Sequence, residues 1–252
     1  MAADAGDGRW LEGQRILVTG AAGGLGRALV VEADLRGATV AATGRRPNID
    51  TVELPDAAIR VTADLRDPDA CRRLVHEAAE RLGGLDIVVN NAATLACRPF
   101  NDLPLEELDA AWEVNLRAPV LIMQESFPYL RDGRSPAIVN VVSTAGVNGG
   151  IATVSAYGMT KAGLIVLTKA VAREYGPYGI RVFSLSPPAI ESELRRDLPA
   201  DLNVSSERVK SMNALGQPAP PVEEVARFTL LTASGAGGLV TGTMVDLTAT
   251  VY

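Results

Sequence analysis

Short apolar runs alternate with segments of helical periodicity along most of the chain. Runs of four to six residues rich in Ile, Val, Leu and Ala are typical of buried strands, while the intervening segments space their apolar residues as amphipathic helices do. The pattern predicts seven strands, over residues 15–19, 38–43, 60–63, 85–90, 137–142, 180–185 and 243–247. It predicts helices over residues 26–36, 68–82, 105–130, 155–175 and 222–232, the third with a kink or break at Pro119.

This alternation predicts the fold class. Strands that are apolar throughout are typical of parallel sheets covered by helices, so we predict an α/β fold with a single doubly wound parallel sheet and helices on both faces. Residues 1–10 are expected to form a flexible tail and residues 11–252 a single domain. Residues 187–221 contain six prolines and no clear strand, and we predict that they form a lid over the substrate.

Composition excludes several classes of protein. The 252 residues are 47% hydrophobic, carry a formal net charge of −6 and contain no apolar run long enough to span a membrane. The polar N-terminus has no signal-peptide pattern, so we expect a cytoplasmic protein. No basic block suggests nucleic acid as a partner. Cys71 and Cys97 are isolated and His76 lies among charged helical residues, so we predict no metal site.

A glycine-rich loop follows the first strand and opens the first helix. It runs Thr19-Gly20-Ala21-Ala22-Gly23-Gly24-Leu25-Gly26. Glycines allow the backbone to approach a pyrophosphate, and the N-terminus of the helix supplies unpaired N–H groups and partial positive charge. The glycine spacing of four and then two differs from the common dinucleotide fingerprint, so a plain glycine turn is an alternative interpretation.

The end of the second strand suggests which dinucleotide would bind. A carboxylate at this point would favour NAD, because it can bind the ribose 2′-hydroxyl. The chain instead has Arg45 and Arg46, and guanidinium groups bind phosphate in a bidentate manner. This favours NADP(H), with its 2′-phosphate. The alternative is a solvated arginine pair on a loop.

Tyr157 and Lys161 are the strongest candidates for catalysis. They are four residues apart in a predicted helix and therefore share a face. An ordinary tyrosine, with a pKa of about 10, exchanges protons poorly at neutral pH. A nearby ammonium group would favour the ionised phenol and allow it to act as a general acid or base. Ser143 ends a predicted strand fourteen residues before the tyrosine.

Taken together, the chain resembles the short-chain dehydrogenase/reductase family in its compact form. The likeness covers roughly residues 11–247, and it rests on Thr19–Gly26, Asp64, Asn90–Ala93, Asn115, Ser143 and Tyr157–Lys161. It implies a Rossmann-like fold and hydride transfer between NADP(H) and a small-molecule carbonyl or alcohol. Relatives commonly form dimers or tetramers, so it also implies a homodimer or homotetramer.

The resemblance also implies roles for individual residues. Tyr157 would donate a proton to a carbonyl being reduced, and Ser143 would hydrogen-bond the same oxygen. Lys161 would bind the nicotinamide ribose and lower the pKa of the tyrosine, while Asn115 would hold a water that relays protons to Lys161. The implied cofactor site comprises Gly20, Gly23, Gly24, Leu25, Gly26, Arg45, Arg46, Asp64, Leu65, Asn91, Ala92, Tyr157, Lys161, Pro187, Ile190 and Ser192.

Two stretches depart from the family pattern. Pro187-Pro188 stands where the family usually has a proline–glycine pair, and Ser192 stands in place of the usual threonine. The usual glycine pair after Val245-Asp246 is also missing. Because proline lacks an N–H group and fixes φ, a reshaped backbone is expected beside the nicotinamide.

Two other functions are compatible with these residues. One is a dinucleotide-binding sensor or scaffold without turnover, which Pro188 favours and the Ser143, Tyr157 and Lys161 set opposes. The other is an epimerase or dehydratase acting on a nucleotide sugar, although that branch is usually longer and has different glycine spacing. Leucines within residues 187–221 suggest an apolar, bulky carbonyl substrate.

Overall fold

A computed structural model describes residues 8–45, 47–190 and 206–249, and its centre is a seven-stranded sheet. Neighbouring strands are parallel throughout, in the order β3-β2-β1-β4-β5-β6-β7. The strands are β1 (Arg15–Thr19), β2 (Thr39–Gly44), β3 (Ile59–Thr62), β4 (Ile87–Asn90), β5 (Ala137–Val141), β6 (Arg181–Ser186) and β7 (Met244–Asp246). All seven match strands predicted from the sequence, within a few residues.

Helices cover both faces of this sheet. In chain order they are α1 (Gly24–Leu35), α2 (Asn48–Thr51), α3 (Pro68–Leu82), α4 (Leu105–Trp112), α5 (Ala118–Arg131), α6 (Ala145–Asn148), α7 (Ser155–Tyr175), α8 (Ser206–Met212) and α9 (Val222–Ala233). Helices α1 and α9 enclose one core with alternate strand residues, and α3, α5 and α7 enclose the other. The doubly wound, Rossmann-like fold predicted from the sequence is therefore confirmed.

The segment predicted as one helix over residues 105–130 forms two α-helices joined by an irregular turn. Between α4 and α5 the chain forms a π-helical turn, Glu113–Arg117, and the helix continues through Pro119 near the start of α5. Pro119 has no N–H group for the carbonyl of Asn115, four residues earlier, so regular α-helical bonding cannot pass this point. The sequence located the irregularity correctly, and the structure resolves it as a π turn that contains Asn115.

A buried carboxylate links neighbouring strands at their amino ends. Asp86 is fully buried just before β4, and its oxygens accept hydrogen bonds from Arg15 Nε (2.9 Å) and Nη2 (2.8 Å). They also accept from the backbone N–H groups of Arg15 (2.8 Å) and Arg134 (2.6 Å). Burial raises the pKa of Asp86, but these hydrogen bonds more than offset the effect, so its pKa lies below the usual value. One side chain thereby joins β1, β4 and the connection into β5.

The ends of the chain and the predicted lid are only partly described. Residues 1–7 and 191–205, the latter within the predicted lid of residues 187–221, lie outside the described residues. Trp10, predicted to belong to a tail over residues 1–10, packs against the core with the Arg36 guanidinium 6.0 Å from its ring centroid. None of the helices in the described ranges is both long and apolar enough to cross a membrane.

Candidate active site

A large cleft opens along the carboxyl ends of the strands, where ligands bind in open α/β sheets. Its volume is about 1020 Å³. The glycine loop and the ends of β2 and β3 line one part of it. Ser143, Tyr157 and Lys161 line another, together with the chain after β6. The fold therefore brings together the two groups of residues that the sequence placed far apart.

The glycine loop requires glycine for steric reasons. Gly20 has φ = +68°, and a Cβ at this position would lie 2.7 Å from the Cα of Ala92. A Cβ at Gly26 would lie only 2.1 Å from the carbonyl oxygen of Gly20. All five predicted residues of the loop, Gly20, Gly23, Gly24, Leu25 and Gly26, line the cleft. These contacts fold the loop tightly over the N-terminus of α1, which is the arrangement that a phosphate site needs.

Asn91, which follows β4, holds the glycine loop in place through hydrogen bonds. Its Nδ2 donates to the carbonyl oxygens of Thr19 (2.9 Å) and Gly20 (3.2 Å). The backbone N–H groups of Asn91 (3.0 Å) and Ala92 (3.1 Å) donate to Thr19 Oγ1. Both residues line the cleft as predicted, but the amide of Asn91 is engaged in holding the loop.

The edge of the sheet formed by β2 and β3 carries positive charge. Arg45 is exposed and lines the cleft after β2, beside Asp64 and Leu65 after β3. Arg66, which sequence reasoning missed, also lines it and donates to Asp64 at 2.8 Å. The hydrogen bond from Arg66 is the main cause that lowers the pKa of Asp64, and the charge of Arg45 adds to the effect. Arg46 lies outside the described residues.

Tyr157 is half-buried at the start of α7. Burial raises the pKa of its hydroxyl to about 12, and a hydrogen bond from Ser143 offsets only part of this rise. Ser143 Oγ also accepts from the N–H group of Ala145 at 3.1 Å, which fixes its position at the end of β5. The two hydroxyls that the sequence predicted to act on one oxygen therefore belong to neighbouring residues that line the same cleft.

Lys161 is almost fully buried one turn further along α7. Its Nζ donates to the carbonyl oxygen of Val141 at 2.7 Å and lies 5.5 Å from the centroid of the Tyr157 ring. Burial lowers the pKa of Lys161 to about 8. The ammonium group is directed at Val141, and the effect of Lys161 on the pKa of Tyr157 stays a prediction.

Asn115 lies in the π turn with its side chain fully buried. Its Oδ1 accepts from the N–H group of Thr94 (2.8 Å), and its Nδ2 donates to the carbonyl of Thr94 (2.9 Å) and to Thr160 Oγ1 (3.2 Å). The side chain therefore ties the loop after β4 to α7, beside both Tyr157 and Lys161. The predicted role of Asn115 in holding a water stays a prediction.

The remaining wall of the cleft follows β6 and the loops before α7. Pro187 and Ile190 line it as predicted, whereas Ser192 lies outside the described residues. Five further residues of the cleft were not predicted from the sequence, because none of them belongs to a motif. They are the apolar residues Leu95, Ile151 and Val154 and the polar residues Thr94 and Thr248. These residues all lie in loops, where periodicity makes no prediction.

Comparison with known proteins gives consistent matches over nearly the whole chain. A family model described as short chain dehydrogenase matches residues 14–203. The 3-oxoacyl-[acyl-carrier-protein] reductase FabG of Thermotoga maritima is 32% identical, with 94% of this chain and 97% of that protein covered. The L-xylulose reductase of Homo sapiens is 34% identical over 92% of this chain and 94% of that protein.

Solved structures give the same picture. A short chain dehydrogenase from Burkholderia cenocepacia in complex with NADP superposes with a TM-score of 0.83 at 32% identity, with 95% of this chain and 98% of that chain covered. The 3-ketoacyl-(acyl-carrier-protein) reductase from Brucella melitensis, complexed with NADH, gives a TM-score of 0.84 at 28% identity, covering 94% of this chain and 97% of that one.

Proposed function

Because the chain belongs to the short-chain dehydrogenase family, we propose that it is an NADP(H)-dependent oxidoreductase that reduces a ketone to a secondary alcohol, or catalyses the reverse reaction. The observation that carries this proposal is that Ser143, Tyr157 and Lys161 line the same cleft as the glycine loop, with Lys161 Nζ 5.5 Å from the centroid of the Tyr157 ring. A sensor without turnover would not need the hydroxyls of Ser143 and Tyr157 in the same cleft.

The residues of the cleft fit a dinucleotide. The glycine loop has no space for a Cβ at Gly20 or Gly26 and presents the N-terminus of α1, which suits a pyrophosphate. Arg45 is exposed and lines the cleft, so its guanidinium group can reach a 2′-phosphate bound there. When bound, the nicotinamide would donate or accept the hydride. Gly20, Gly24, Gly26 and Arg45 would hold the dinucleotide at its phosphates.

The protein groups supply the proton and stabilise charge on oxygen. Ser143 and Tyr157 would both donate hydrogen bonds to the substrate oxygen, where negative charge develops as hydride is added. The phenol of Tyr157 is protonated at neutral pH, which is the state that a proton donor requires. Lys161, with its pKa lowered to about 8, remains mostly protonated at neutral pH and can bind ribose hydroxyls. We propose that Asn115 positions α7 through Thr160.

An assay with NADPH and a panel of ketones tests the function directly. Consumption of NADPH that depends on a ketone, together with formation of the matching alcohol, is the expected result. Tight binding of NADPH without turnover of any ketone would support the sensor instead. Small sugars, thioester-linked 3-oxo chains and bulky apolar ketones should be in the panel, because the named relatives differ in their substrates.

Arg45→Ala is expected to weaken NADPH binding about 10- to 100-fold and to leave NADH binding within about twofold, because a charge-assisted bond to the 2′-phosphate is lost. Titration of both cofactors by fluorescence measures the effect. The matched control is Arg72→Ala, since Arg72 is a half-exposed arginine paired with Asp69 and does not line the cleft. A wild-type protein that prefers NADH would contradict the assignment of Arg45.

We also propose that two or four copies assemble through the surface of α4 and α7. Phe100, Leu105, Trp112, Met159 and Val166 are apolar and at least half exposed on or beside these helices. Sedimentation equilibrium at micromolar concentration should show an oligomer, and Val166→Glu should shift it towards the 26.4 kDa monomer. Leu35→Glu, on the exposed end of α1, is the control and should leave the mass unchanged. A monomeric wild type would contradict the proposal.

A further inference from the structure

Two loops carry much of the apolar wall near the catalytic tyrosine. The β4 loop, residues 91–99, follows β4 and contributes Leu95 to the cleft. The pre-α7 loop, residues 149–154, leads directly into the helix of Tyr157 and contributes Ile151 and Val154. The relative position of these loops therefore sets the shape of the wall that a substrate would contact.

Two hydrogen bonds join the loops, and both involve Thr153. The N–H group of Arg98 donates to the carbonyl oxygen of Thr153 at 2.9 Å. The Sγ of Cys97 lies 3.1 Å from Thr153 Oγ1. The hydroxyl of Thr153 also contacts the carbonyl oxygen of Ala152, and either side chain can be the donor in the contact between Cys97 and Thr153.

The two loops differ in how well they are held. Hydrogen bonds hold the β4 loop at two points. Arg98 Nε donates to Glu107 of α4 at 3.0 Å, and the side chain of Asn115 forms hydrogen bonds with both the N–H group and the carbonyl oxygen of Thr94. The pre-α7 loop begins with two glycines at positive φ and therefore has little stiffness of its own. Thr153 follows with φ = +74°, a conformation that β-branched residues rarely adopt. The contacts to Cys97 and Arg98 hold Thr153 in that conformation.

We propose that Cys97 and Thr153 form a latch that fixes the pre-α7 loop against the β4 loop and thereby sets the substrate wall. Cys97 is then a positioning residue, which acts on the substrate through Ile151 and Val154. This rests on the proposed function, because it assigns that end of the cleft to the substrate. The latch requires an unmodified side chain at Cys97 and the hydroxyl of Thr153.

Kinetics provide the first test. Cys97→Ala should raise KM for the ketone about fivefold or more, while kcat and the Kd for NADPH stay within about twofold, since one hydrogen bond that orients the wall is lost. Cys97→Ser keeps a donor and should restore KM to within about twofold of wild type. Cys71→Ala is the control, because Cys71 is a buried residue of α3 and does not line the cleft.

Thiol labelling provides a second test that needs no turnover. Burial raises the pKa of Cys71 to about 11, so the partly exposed Cys97 is the thiol expected to react with an aryl disulfide reagent. Thr153→Gly accommodates the positive φ but lacks the hydroxyl, and should speed labelling of Cys97 about fivefold or more. Thr153→Ser should label at the wild-type rate.

The outcomes separate the latch from the proposed function. If the wild type reduces no ketone, the proposed function fails and the labelling rates alone decide the latch. If the wild type is active, an unchanged KM in Cys97→Ala overturns the latch. Equal labelling of the wild type and Thr153→Gly overturns it in either case.

Discussion

Tyr157→Phe is expected to lower kcat at least about 100-fold, because general acid catalysis is usually worth that much and the variant lacks the transferable proton. The ring is retained, so the fold and the Kd for NADPH should change little. Ser143 would still donate to the substrate oxygen, which leaves a residual rate rather than none. Steady-state kinetics with the best ketone of the panel, together with NADPH titration, measure both quantities.

Tyr175→Phe is the matched control for this experiment. Tyr175 lies in the same helix, and its hydroxyl donates to the carbonyl oxygen of Met123 at 3.3 Å, away from the cleft. Its removal should leave kcat within about twofold of wild type while costing about 1 kcal/mol of stability, as expected for one hydrogen bond. A Tyr157→Phe variant that retained more than a tenth of the wild-type kcat would sink the assignment of the proton donor.

Asp86→Asn is expected to reduce the free energy of unfolding by about 3–5 kcal/mol at neutral pH, because the guanidinium group of Arg15 loses its buried counter-charge. The pKa of Asp86 is lower in the folded protein than in the unfolded chain. Its contribution to stability is therefore fully present above about pH 4 and is lost as the pH falls through the folded value. The variant and the wild type should accordingly converge in stability under acid conditions.

Urea unfolding at neutral and acid pH tests this prediction. Asp132→Asn is the control, because Asp132 is largely exposed and forms a surface ion pair with Arg131, which is worth only about 0–1 kcal/mol. A difference between wild type and Asp86→Asn that stayed constant across the pH range would show that the carboxylate charge is not what stabilises this site.

The strands and long helices could be predicted because each buries a periodic face or a continuous apolar run. The short helices α2, α6 and α8 were not predicted, since one or two turns carry too few residues to show a period. The role of Asp86 was also invisible, because its partners Arg15 and Arg134 are far away in sequence and meet only when the strands pair.

In the candidate site, too, the sequence predicted which residues come together but not the contacts and pKa values of individual groups. Spacing placed Tyr157 and Lys161 on one face of a helix, and the glycine pattern placed the phosphate cradle. The direction of the Lys161 ammonium group depends on the carbonyl of Val141 in β5, and the pKa of Tyr157 depends on its burial. Neither property follows from spacing within α7, because both arise from packing against other elements.

The strand order has a practical consequence for redesign. Arg45 follows β2 and Ser143 follows β5, and two strands, β1 and β4, lie between them. Three strand spacings separate the two sites by about 14 Å, beyond the range at which substitutions usually influence each other. Changes that alter cofactor preference at the β2–β3 edge should therefore combine additively, in free energy, with changes that alter ketone selectivity around Ile151. An engineer could optimise the two ends in separate libraries and join the best variants in one step.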